Sequence, residues 1–99
     1  MRKGHKRFYK LLEEIADLHE RKNASYAQYK DPLSNLKFCE RLGVSSSLGC
    51  VVRMGDKWSR LEQLIQGKPD MVGESIKDTL KDMAIYSLLC IILIEECEK

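Results

Sequence analysis

Proline is scarce in this chain: there are two in 99 residues, Pro32 and Pro69. Aromatic residues make up only 7%, with a single tryptophan, and the net charge is only +2. A charge that small gives no ground for a nucleic-acid partner. Cys39, Cys50, Cys90 and Cys97 form no CxxC pair, and His5 and His19 complete no zinc pattern, which argues against a structural zinc site. The longest apolar run, residues 83–94, is twelve residues and is interrupted by Tyr86 and Ser87. That falls short of the roughly 20 that a membrane-spanning helix needs, so it reads as a core helix. No secretory leader opens the chain, so reduced thiols in a cytoplasm are the expected setting. There is no P-loop, no dinucleotide-type glycine pattern, no GxSxG elbow and no cysteine with an orienting histidine.

What remains is helical periodicity. With 43% apolar and 32% charged residues, the sequence reads as one globular all-α domain over residues 1–99, a small four-helix bundle with one short helix. Residues 1–4 are expected as a disordered basic tail. Phe8, Leu11, Leu12, Ile15 and Leu18 repeat at helical spacing and predict a first helix over about 4–22. KNASYAQYKDP reads as a loop. Asp31 and Pro32 then open a short second helix, which Gly43 stops. Capping serines at 45–47 precede a third helix to about 66 through Val51, Met54, Trp58, Leu61 and Leu64, with Trp58, Met54 and Leu61 expected in the core. Gly67, Lys68 and Pro69 end it, and a fourth helix begins at Asp70 or Gly73 and runs to about 97. That last helix is apolar nearly all round over 83–94, more than so small a bundle can wrap. A homodimer or homotetramer is therefore expected.

Two charged constellations stand out. Glu74, Asp78 and Asp82 recur every fourth residue, so all three share one helical face despite their mutual repulsion. Either a divalent cation with oxygen ligands or basic residues from a facing helix would offset that cost. Arg53, Lys57 and Arg60 form a basic stripe on the third helix, at i, i+4 and i+7. A short connection at residues 67–73 makes the third and fourth helices antiparallel, setting the basic stripe beside the acidic one. Two readings stay open: an interhelical salt-bridge ladder, or phosphate oxygens held between Lys57, Arg60 and a carboxylate-bound metal. Glu13, Glu14 and Asp17 on the first helix read as surface acids, and Lys22 and Asn23 as candidate contacts to a base or phosphate.

The order KNASY, VRMGDKWSRL and ESIKDTLKDMAIY resembles the small phage and bacterial proteins called nucleotide modification associated domain 1. That group is similar to the MazG-like all-α NTP pyrophosphohydrolases, and the match covers about residues 19–90. The resemblance implies Mg²⁺ or Mn²⁺ at Glu74, Asp78, Asp82 and Asp56, with Asp78 and Asp82 catalytic and metal-activated water attacking a (d)NTP to release pyrophosphate. It implies Lys57, Arg60, Asn23 and Lys22 as substrate contacts. If the family's first acidic motif falls on the third helix, Lys57 and Arg60 stand where acids are expected, leaving only Asp56; if it falls on the first helix, Glu13, Glu14 and Asp17 reproduce it, but the segment that follows is longer than the family's. Three functions follow: a (d)NTP pyrophosphohydrolase, a protein that binds or sequesters a nucleotide without cutting it, and a small adaptor or inhibitor whose charged stripes are structural.

Overall fold

The computed structural model describes residues 2–26, 33–34, 36–68 and 75–97. Every regular element is a helix, and among the described residues there is no strand. The chain divides into two compact units, Met1–Asn35 and Leu36–Lys99.

The first unit is carried by α1, Lys6–Tyr26. Residues 2–4, read from the sequence as a tail, fold back on Tyr9. The Gly4 N–H donates to the Tyr9 hydroxyl at 2.8 Å, and the Arg2 guanidinium stacks 5.4 Å from the ring centroid. The His5 ring caps the start of the helix, its Nδ1 accepting from the Arg7 N–H at 3.0 Å. The helix runs four residues past the expected boundary at 22, because residues 23–26 contain neither glycine nor proline and nothing local stops it. Asp31 and Pro32, the expected start of a second helix, lie outside the described residues.

The second unit begins with a 3₁₀ helix, Leu36–Leu42, where the sequence predicted a short helix. Gly43, with φ 80°, ends it as expected. Helix α2, Ser46–Ile65, then starts on Ser45, whose hydroxyl accepts from the Leu48 N–H at 3.2 Å. Its C-terminus is a Schellman turn: the Gly67 N–H reaches Leu64 O and the Lys68 N–H reaches Gln63 O, both at 3.1 Å. Gly67 supplies the positive φ of 78° that this turn needs.

Helix α3, Ile76–Cys97, opens with a reciprocal cap. The Asp78 N–H donates to the Ser75 hydroxyl at 3.1 Å, and the Ser75 N–H donates to the Asp78 carboxylate at 3.2 Å. The expected starts at Asp70 and Gly73 lie outside the described residues. No described helix is long and apolar enough to cross a membrane.

Helices α2 and α3 pack antiparallel, since contacts climb one helix as they descend the other. The Cys90 thiol approaches Ser47 O, the Cys50 thiol approaches Tyr86 O, and Lys57 meets Asp82. The buried positions on α2 are Ser46, Cys50 and Leu61, and those on α3 are Thr79, Asp82, Ile85, Cys90 and Leu93. This core is thin, with Leu61, Ile85 and Leu93 set among small or polar side chains. It differs from expectation at Trp58, which is 55% exposed, whereas Leu61 is buried and Met54 half-buried. At about 100° per residue, a helix that turns Lys57 toward α3 must swing its neighbour Trp58 away.

The 3₁₀ helix lies against α2 at Gly49, where a Cβ would come within 2.5 Å of the Cys39 sulfur. It is also tied to α3 by the Lys37–Glu96 ion pair at 3.4 Å.

Candidate functional site

Asp82 enters α3 one turn after the cap, on the face that Thr79 and Ile85 bury against α2. Its side chain is only 5% exposed. Such a group needs a cation or several donors. Lys57 Nζ supplies the cation at 3.1 Å, reaching across from α2 with its own side chain 23% exposed. The antiparallel hairpin expected from the sequence thus brings the two stripes together at one point, as an interhelical ion pair.

Beside that pair lies an open groove of about 600 Å³. Arg53, Asp56, Lys57, Ser59, Arg60 and Gln63 of α2 line one wall, and Tyr86 of α3 lines the other. Arg53, Lys57 and Arg60 rise along it at i, i+4 and i+7. The Lys57 charge is shared with Asp82, and Arg60 is half-buried. Arg53 is exposed and makes no ion pair among the described residues. The groove thus presents three cations against one lining carboxylate, Asp56, with hydroxyl and amide donors between them and a half-buried phenol opposite. Clustered guanidinium and ammonium groups on a concave surface attract anions, and guanidinium groups match planar or tetrahedral oxyanions.

The other expected site residues are placed differently. Asp78 is exposed and holds the first turn of α3 through Ser75, a structural task that already occupies its carboxylate. Asp56 lies on the groove wall, one helical step from Lys57. Glu74 lies outside the described residues. Lys22 and Asn23 are half-buried on α1, in the first unit, whereas the groove is built from α2 and α3. Glu13 and Asp17 are exposed, and Glu14 pairs with Arg7 at 2.7 Å on the surface of α1. Among the described residues, no three His, Cys, Asp or Glu side chains come together in a way that could hold a metal ion. With Asp82 against Lys57 and Asp78 in the cap, the described donors do not fit a carboxylate-bound Mg²⁺.

Tyr86, Ser59 and Gln63 line the groove but were not singled out from the sequence. Tyr86 could have been found, because it follows Asp82 by four residues and so shares its face. Ser59 and Gln63 follow Asp56 by three and seven residues and were legible by the same spacing.

Cys50 sits at the far end of the α2–α3 contact. Its thiol is pushed up to about 11, mainly because burial disfavours the thiolate, with the neighbouring Cys90 adding to the effect and Arg53 opposing it. A thiol held protonated is a poor nucleophile and a poor metal ligand, so Cys50 is packing rather than chemistry.

No family model, no curated protein and no solved structure matches this chain.

Proposed function

We propose that this protein binds a nucleotide or a nucleotide-like phosphate ester in the α2–α3 groove and does not cleave it. The observation that carries this reading is the convergence of Arg53, Lys57 and Arg60 on one concave wall opposite Tyr86. Phosphate oxygens would lie along the guanidinium groups, and the Tyr86 ring offers a face against which a base can pack. This reading keeps the chain among relatives of the nucleotide modification associated domain 1 and MazG-like proteins.

Pyrophosphate release, the activity those relatives imply, needs several carboxylates around a metal. Asp82 faces Lys57 and Asp78 caps α3, which is why binding without cleavage is the form proposed. Any Mg²⁺ or Mn²⁺ would then arrive as the counter-ion of the phosphates, near Asp56. The same reading takes the protein as a homodimer or homotetramer, because two helices carry outward apolar stripes. These are Leu48, Val51, Val52, Trp58 and Ile65 on α2, and Leu80, Leu88, Ile91 and Ile94 on α3.

Mass spectrometry of nucleotides retained by the purified protein, followed by a pyrophosphate-release assay with Mg²⁺, tests the proposal. Retention without release is expected. Arg53→Ala should weaken retention at least tenfold with an unchanged melting temperature, since Arg53 is exposed and outside any ion pair among the described residues. Release of pyrophosphate would restore the hydrolase reading. Neither retention nor release would leave an adaptor whose charges are structural.

A further inference from the structure

We propose that α3 pairs with α3 of a second copy, antiparallel, along the face opposite the groove. This inference rests on the oligomeric reading above but not on the nucleotide. The outer face of α3 carries Leu80, Ala84, Ser87, Ile91 and Ile94, spaced four, three, four and three residues apart. That is the 3.5-residue repeat of a helix-pairing seam, and the face lies opposite Thr79, Asp82, Ile85 and Leu93, which α3 buries. Along it Leu80 is 48% exposed, Ile91 52% and Ile94 44%. A run of half-exposed aliphatic side chains at seam spacing leaves a driving force unused within one chain.

The middle of the seam is shaped for close approach. Ala84 and Ser87 are the small residues there, with large ones on either side. The one polar atom among the five, the Ser87 hydroxyl, is already satisfied, donating to Met83 O at 2.9 Å. A second helix could therefore cover Ser87 without stranding a donor.

Charge selects both the occupant and its direction. Lys77 and Lys81 flank the seam at its N-terminal end, Glu95 flanks it at its C-terminal end, and none of the three has an ion-pair partner among the described residues. An antiparallel second copy sets Lys77 beside the partner's Glu95 and, by symmetry, repeats that pairing at the other end. It also stacks Leu80 on the partner's Ile91 and Ala84 on the partner's Ser87, and it lays Ile94 along the aliphatic stem of the partner's Lys77. A parallel copy would set lysine against lysine at one end and Glu95 against Glu95 at the other, which repels at both.

Sedimentation of the full chain at micromolar concentration tests this. The wild type should be a dimer or a tetramer built from dimers. Lys77→Glu with Lys81→Glu should weaken the α3 pairing on the order of tenfold, and adding Glu95→Lys to that variant should restore it. Ala84→Arg should abolish the pairing while helical dichroism is retained. An oligomer insensitive to all these changes would overturn the α3 seam and leave self-association through another face, such as the α2 stripe. A wild-type monomer would overturn both the seam and the oligomeric reading.

Discussion

The two ends of the α2–α3 contact bury polar atoms in opposite ways. Toward the start of α2, Cys50 and Cys90 are buried, each sulfur near a backbone carbonyl of the other helix at 3.5 and 3.8 Å. Toward the end of α2, Asp82 is buried as a carboxylate 3.1 Å from Lys57. A thiol is a weak donor and packs like a small hydrophobe, so that end tolerates the loss of a partner. A buried carboxylate that loses its cation is far less forgiving. One end of the contact is therefore a matter of fit, and the other is a matter of charge. The charged end is also where the groove opens, because water or a ligand must solvate what the thin core cannot.

The largest effect expected from this difference is at Lys57. Lys57→Met should cost about 3–5 kcal/mol of unfolding free energy, because it removes the cation beside a buried carboxylate. Denaturant melts that show no loss would make the two ends equivalent and end the comparison.

At the thiol end, steric fit is the sensitive quantity. Gly49→Ala should cost about 1–3 kcal/mol, since the added Cβ would press on Cys39, whose sulfur already lies 3.5 Å from both Leu36 O and Ser45 O. Combining it with Cys39→Ala should recover most of the loss, and failure of that rescue would place the cost elsewhere.

A smaller effect is expected at the entrance to α3. Ser75→Ala should cost about 1 kcal/mol and speed hydrogen exchange in the first turn, because it removes one half of the cap formed with Asp78. Unchanged exchange would remove the Ser75 hydroxyl from the cap.

The subtlest test is alkaline pH. The Cys50 thiol stands above its ordinary value of 9.0, at about 11, so the folded state favours the protonated form. Its contribution should be intact below pH 9 and decline as the pH rises toward 11, because the unfolded chain ionises first. Cys50→Ala should flatten that decline in pH-dependent melts. If the decline persists unchanged, another group is responsible.

Much of this architecture was legible before any coordinates. The period of the apolar residues predicted the helices, and Gly43, Ser45 and Gly67 marked their ends through turn and cap chemistry that acts within a few residues. Asp82 was readable as an inward acid because it adjoins the apolar run. Trp58 shares a helical repeat with Met54 and Leu61 and so reads as core, yet it is exposed, because the rotation of α2 about its axis is decided by what α3 presents. Asp78 drew attention in the sequence through its spacing of four from Asp82, whereas its hydrogen bonds with Ser75, three residues away, make it part of the cap of α3.

The sequence by itself determined that this is an all-helical chain, where three of its helices stop and which stripes its charges form. These follow from local forces: backbone torsions, side-chain caps and helical periodicity. Only the tertiary structure decided that Lys57 neutralises Asp82, that Arg53, Arg60 and Tyr86 share a groove and that the acids expected to act together are divided between different tasks. Those outcomes depend on which face of one helix meets which face of another. Packing between elements distant in sequence settles that, and no short-range pattern encodes it.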